Sequence, residues 1–216
     1  MLKEPFKIHG ENFWLSHERT IFWEEEKALI ISDLHFGKTG HFRKSGIGVP
    51  QNVFKEDLQR LVAQLVFFKV DKIIIVGDMF HSTVNKELEF FLKWRKDFNN
   101  IRFILVKGNH DILDLDWYRK ASIEICSSLS IRNFFFCHDP ETSEYNNENY
   151  LFSGHIHPSV QITGQGKQSL RFPCFYFSPT HCILPAFSKF TGSVSLKAGE
   201  GDKIFAIVKD ELVLLN

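Results

Sequence analysis

The sequence predicts an α/β chain in which two β-sheets pack face to face with helices outside. Three observations predict it. Up to Val106 the pattern alternates strand, helix, strand, helix, strand; beyond it, apolar runs follow one another with little helix between them. Phe is over-represented, 23 of 216 residues against 4 Tyr and 4 Trp. That is more bulky apolar side chain than one small core hides; two packed layers or a homo-oligomer interface would use it.

In chain order, Phe6 to Leu15 and Thr20 to Trp23 read as short strands. Glu24-Glu25-Glu26 is a turn into a buried strand, Ala28 to Ser32. A Gly-punctuated basic loop runs from Gly37 to Pro50. Val53, Leu58, Leu61, Val62 and Leu65 recur at helical spacing, predicting a helix over Asn52 to Phe68. Lys72 to Val76 and Arg102 to Val106 are buried strands flanking a helix over Lys86 to Phe98. The connections are long enough for right-handed crossovers and a parallel sheet. Ser122 to Cys126, Ile131 to Cys137, Tyr150 to Ser153, Leu170 to Phe177, Lys203 to Val208 and Leu212 to Leu214 read as the later strands, with Glu141 to Asn149 a polar loop.

Nothing divides the chain into parts, so residues 1–216 are expected to form a single domain. The 26 basic and 26 acidic residues cancel. A strongly basic nucleic-acid binder is excluded, and attraction for phosphate must come from a local patch or a bound metal. Cys126, Cys137, Cys174 and Cys182 form no C-x-x-C pair, and no apolar stretch approaches the ~18 residues of a membrane span. A cytoplasmic protein with reduced thiols is expected.

Five apolar runs end in residues that bind metals: ALIISDLH, KIIIVGD, RFILVKGNHD, NFFFCHD and NYLFSGHIH. In open α/β sheets, ligands gather outside the carboxyl ends of strands. In an extended segment Asp33 and His35 project to one side, as do His155 and His157. Cys137 and His138 diverge, so Cys137 is packing. Gly77, Gly108 and Gly154 let the backbone approach a crowded centre. Asp33, His35, Asp78, Asn109, His138, His155 and His157 are too many for one tetrahedral zinc. They suit two divalent cations about 3.5–4 Å apart, sharing a carboxylate and activating a bridging hydroxide against a phosphoester.

In this order, DLH, GD, GNHD, a later His and GHIH resemble the calcineurin-like metallophosphoesterases. The resemblance implies a four-layer αββα sandwich. It implies one metal on Asp33, His35, Asp78 and His157, and another on Asp78, Asn109, His138 and His155. His110 would protonate the leaving group, with Asp111 orienting it. More narrowly, DLHFGKTGHFRKSGIGVP (Asp33 to Pro50), RFPCFYF and LPAFSKFTGS (within Arg171 to Ser193) resemble the DNA-ligase-associated metallophosphoesterases. That implies a manganese-dependent phosphodiesterase or endonuclease acting on DNA. It also implies a bacterial repair setting with an ATP-dependent DNA ligase, a helicase and an exonuclease.

His110 is surplus to the coordination count, and an imidazole can donate a proton near neutrality. Lys38, His41, Arg43 and Lys44 read equally as phosphate contacts or as a solvated loop. His81 reads equally as a substrate contact or as support for a ligand. His9, His17 and His181 read as structural or exposed, and Phe134, Phe135 and Phe136 as core. The mixed N/O donors suit Mn, Fe, Ni and Zn alike; the preference for Mn is what the resemblance implies. Neutral net charge favours a second class of reaction, hydrolysis of a small phosphorylated metabolite, whether monoester or diester.

Overall fold

Sixteen strands and three α-helices make up the described part of the chain, which in the computed structural model covers residues 3–38, 53–81, 86–143, 145, 148–164 and 168–215. The first sheet contains β1 (Lys3–Ile8), β2 (Glu11–Ser16), β3 (Thr20–Trp23), β4 (Ala28–Ile31), β5 (Lys72–Val76), β6 (Arg102–Val106) and β7 (Ile123–Cys126), in sequential order. β1 to β4 are antiparallel neighbours, and β4 to β7 run parallel. Helices α1 (Val53–Phe68), α2 (Lys86–Lys96) and α3 (Leu115–Lys120) form the three crossovers of the parallel part.

Strand alternation sorts the side chains into two cores. Leu29, Ile31, Ile73, Ile75, Phe103 and Leu105 face the helices, meeting Leu58, Leu61, Leu65, Leu88, Phe91 and Trp117. Ala28, Ile30, Ile74, Val76 and Val106 face the other way, toward the second sheet.

That second sheet has nine strands: β8 (Leu129–Ile131), β9 (Phe134–Phe136), β10 (Tyr150–Ser153), β11 (Pro158–Thr163), β12 (Ser169–Phe177), β13 (His181–Ile183), β14 (Val194–Ser195), β15 (Lys203–Val208) and β16 (Glu211–Leu215). Phe134, Phe136, Phe152, Phe175 and Phe177 fill the space between the sheets with Phe13 and Trp23. The aromatic excess is thus absorbed by two packed layers. Its rings meet at centroid distances such as 4.9 Å for Trp23–Phe134 and 5.2 Å for Phe136–Phe152. All three described α-helices lie with the first sheet, and the outer side of the second carries Val160, Cys174, Ile204 and Ala206. The four cysteines are free thiols, and no described helix is long and apolar enough to cross a membrane.

Several elements differ from the sequence expectation. Phe6 to Leu15 is a hairpin, because His9 and Gly10 both adopt positive φ (48° and 86°) and form a two-residue turn that suits strand twist. Ile131 to Cys137 is broken by a turn at Arg132-Asn133, which separates β8 from β9. α3, β11 and β13 are too short or too polar to announce themselves. The basic loop beyond Lys38, including His41, Arg43 and Lys44, lies outside the described residues.

Candidate metal centre

The site is assembled from the loops that follow β4, β5, β6, β9 and β10. Backbone bonds join the first two loops: Asp33 N–H to Gly77 O (3.1 Å), His35 N–H to Asp78 O (2.9 Å) and Phe36 N–H to Met79 O (2.9 Å). Gly154 N–H bonds His138 O (3.1 Å), joining the last two. The strands end before the ligands begin, which corrects the extended-segment reading. Asp33, His35, Asp78, His155 and His157 all take left-handed backbone, with φ of 54°, 48°, 51°, 68° and 53°. Non-glycine residues seldom adopt this conformation, and it persists where surrounding structure enforces it at a working site. Paired residues still share a side, by tight left-handed turns instead of strand alternation.

Three glycines make room for this crowding, Gly108 among them, where a Cβ would collide with Asp78 Oδ1. At Gly77 φ is +80° and a Cβ would overlap the His138 ring. At Gly154 a Cβ would collide with Ser32 Oγ and stand 2.7 Å from Asp33 Oδ2.

Two clusters of donor atoms result. In the first, His157 Nε2 stands 3.1 Å from Asp33 Oδ1 and 3.3 Å from His35 Nε2. In the second, Asn109 Oδ1 lies 3.1 Å from His138 Nε2 and 3.2 Å from His155 Nδ1, while those nitrogens are 3.3 Å apart. Asp78 Oδ2 lies between the clusters, 3.4 Å from His138 Nε2 and 4.0 Å from His35 Nε2. Asp33 can group either with His35 and His157 or with Asp78 and His138. Its Oδ1 is buried and accepts no hydrogen bond of good geometry, despite the adjacent imidazole. Buried polar atoms are normally satisfied. Lone pairs converging on one point, one of them orphaned, fit divalent cations.

Three imidazoles have their far nitrogen tied down, which turns the near one inward. His138 Nδ1–H donates to Val76 O (3.1 Å), and His157 Nδ1–H donates to Gly192 O (3.0 Å). His35 Nδ1 pairs with His81 Nδ1 at 3.3 Å. His81 therefore supports His35, and its ring also packs against His110, with centroids 4.3 Å apart and planes tilted by 37°. Ser32 Oγ bonds both Asp33 Oδ2 and Val76 O.

The electrostatics suit ligands. Burial drives the His35 imidazole far below its ordinary value, reinforced by Lys38 and opposed by Asp78. It is therefore a neutral donor. Burial would push His138 down, but Asp78 and Asp33 overcome it and raise the imidazole to about 9; a divalent cation beside the same carboxylates would displace that proton and leave Nε2 a ligand. Burial would raise Asp78, yet His138 and the His110 N–H hold it below the carboxylate range. Burial lowers the Lys38 ammonium while Asp78 and Asp33 pull it back up, which places this cation in the field of the site.

His110 donates its backbone N–H to Asp78 Oδ1 (2.9 Å) and keeps its half-buried ring at the rim. Asp111 corrects the expectation that it orients His110. Its oxygens accept from Phe80 N–H (3.0 Å) and Gly108 N–H (2.9 Å), clamping the loops that carry Asp78 and Asn109. Burial pushes this carboxyl up to about 7, with those two N–H groups pulling the other way. Cys137 is buried, as expected of packing.

Sequence reasoning missed the outer support. Arg60 bonds Glu18 Oε2 (2.7 Å), Asp57 Oδ1 (2.7 Å) and Phe187 O (3.0 Å). Arg19 bonds Ala186 O (2.9 Å) and Ser188 O (2.8 Å). The segment thus held bonds Ser32 O and Asp33 O through Phe187 N–H (2.8 Å) and Ser188 N–H (3.3 Å). The LPAFSKFTG block was the available signal for it.

The side of the site bearing Asn109 and His155 is exposed. It opens on a cleft of about 570 Å³ lined by Lys107, Asn109, His138 and Asp139.

The nuclease MPE of Pseudomonas putida superposes with a TM-score of 0.84 at 25% identity, over 99% of this chain and 100% of that one. The Aquifex aeolicus protein AQ665 gives 0.44 at 21% identity, over 60% and 78%. The phosphoesterase Yfce from E. coli gives 0.41 at 13%, over 87% and 97%. A search of curated protein sequences returned no match. Residues 26–141, more than half of the chain, match the calcineurin-like phosphoesterase model. The chain belongs to the calcineurin-like phosphoesterase family and is a metal-dependent phosphoester hydrolase.

Proposed function

We propose that the protein is a dinuclear phosphodiesterase, an endonuclease acting on DNA. The observation that carries this reading is the position of Asp78 Oδ2 between two donor clusters that open on an exposed cleft. Asp33, His35 and His157 would hold one cation, and Asn109, His138 and His155 the other, with Asp78 shared. When bound, two divalent cations acidify water and neutralise phosphate oxygens. Manganese suits this mixed N/O set.

The chain's own groups do the rest. His110 stands beside Asp78 and Asn109 without joining either donor cluster, so its imidazole is free to give a proton to the departing oxygen. The His81 ring, packed against it, limits its orientations. Lys38 offsets anionic charge as a phosphate arrives. Asp111 keeps the two loops in register.

The similarity to the P. putida nuclease supports a nucleic-acid substrate. The ligase-associated repair setting rests on the sequence blocks from Asp33 to Pro50 and Arg171 to Ser193. One hydrolysis panel with added Mn²⁺ tests the reading: bis-p-nitrophenyl phosphate, p-nitrophenyl phosphate, 2′,3′-cyclic nucleotides, and single- and double-stranded DNA. Cleavage of DNA and of the model diester is expected. Turnover confined to the monoester or the cyclic nucleotides would shift the assignment to a small metabolite.

A further inference from the structure

The two ends of the site differ in charge. Beyond His155, a cleft of about 650 Å³ is lined by Asp139 and Glu141 and by no described Lys or Arg. Beyond His157, a smaller cleft of about 220 Å³ is lined by Arg19, Arg171, Lys189, Thr191 and Ser193, with no carboxylate among its described lining residues. A polyanion leaving the metal ligands meets repulsion one way and cations the other.

The basic cleft is tied to the site. Its wall includes Gly192, whose carbonyl holds His157 Nδ1. Arg19 forms the floor, with Nη1 on Ala186 O and Ser188 O. Arg171, exposed on β12, reaches Ser193 O at 3.3 Å, which sets its guanidinium at the rim. Lys189 is exposed and lines the same cleft as Thr191 and Ser193. Between Lys189 and Thr191 stands Phe190, a partly exposed aromatic side chain. Cations along a groove with an adjacent aromatic face are what a single strand uses, phosphates on the charges and a base on the ring.

We infer that this cleft is a subsite for a phosphate flanking the one cleaved. A single nucleic-acid strand then runs from the metal ligands past His157 and across Arg171 and Lys189, away from Asp139 and Glu141. The inference rests on the phosphodiesterase reading and adds to it a direction and a binding surface. It also supplies, on a chain of zero net charge, the local patch that a polyanion requires.

The test measures kcat/KM with Mn²⁺ for a single-stranded oligothymidylate and for bis-p-nitrophenyl phosphate across a salt series. The double variant Arg171→Ala plus Lys189→Ala is compared with the parent. The ratio of oligonucleotide to model-diester efficiency should fall ~10-fold or more at low salt. The log–log salt slope should shrink by roughly 0.7 for each phosphate that is no longer neutralised. Phe190→Ala should lower the ratio without changing the slope, because stacking releases no counterions. The pair Arg171→Lys plus Lys189→Arg keeps the charge and should keep the slope, which separates charge from damage to the fold. Parallel DNA and RNA strands of one sequence tell which sugar the surface accepts. An unchanged ratio and slope in the double-alanine variant would overturn the subsite while leaving the phosphodiesterase reading standing. A parent protein that hydrolyses the model diester but no oligonucleotide would also overturn it. A parent that hydrolyses neither would instead remove the reading on which it rests.

Discussion

His157 Nε2 lies 3.1 Å from Asp33 Oδ1, yet that oxygen accepts no well-formed hydrogen bond. The two atoms converge without satisfying each other. Each is held from behind, His157 by Gly192 O and Asp33 by Ser32 Oγ and the His155 N–H. Groups clamped this way, with lone pairs aimed at a common point, are prepared for a cation.

Asp78→Asn should break the shared position. It retains an oxygen for the His110 N–H but loses the charge that both clusters face. Hydrolysis of bis-p-nitrophenyl phosphate should fall by ~100-fold or more, and bound manganese should drop below that of the parent in elemental analysis. Parental metal content and turnover would remove Asp78 from the shared role.

His110→Asn should preserve metal content, since its backbone N–H still reaches Asp78. Turnover should slow by ~10²–10⁴-fold for an alkoxide leaving group. The loss should be smaller for p-nitrophenolate, which leaves with little need of a proton. Equal losses on the two substrates would mean that His110 serves positioning only.

Much of this was legible in sequence because the ligands sit at the ends of apolar runs. β5, β6, β10 and β15 match their expected bounds, and the β-α-β alternation fixed the parallel sheet. Legibility failed where non-glycine residues take left-handed backbone. His9 hid a hairpin turn, and the same conformation at Asp33 and His35 replaced the expected extended segment. Roles that depend on which atom faces which were also hidden. Asp111 clamps two loops where orientation of His110 was expected, and His81 proved to touch both His35 and His110.

Gly154→Ala should cost ~1–3 kcal/mol of stability, because the new methyl must displace Ser32 or Asp33 from a closed position. Urea unfolding measures the loss. Metal affinity should fall with it, since Asp33 is one of the groups displaced.

Arg60→Ala should destabilise the fold by ~3 kcal/mol, as it strands Asp57 and two carbonyls behind the site. The partner Glu18 makes the pH dependence explicit. Burial alone would raise its carboxyl, but the Arg60 guanidinium holds it below the usual glutamate value. A depressed folded value means this stability is present above the unfolded value of about 4.3 and is lost as pH falls through the folded one. Glu18→Gln should therefore flatten the acid limb of the stability profile below about pH 4.3. An unchanged acid limb would show that this pair adds nothing measurable.

The central claim is that hydrolysis depends on two cations held by these loops. The direct measurement titrates Mn²⁺ into chelator-stripped protein and follows hydrolysis of bis-p-nitrophenyl phosphate together with metal bound per chain. Activity should be absent in the stripped protein and should reach its plateau as bound manganese approaches two per chain. Full turnover in the chelated, metal-free protein would contradict the account.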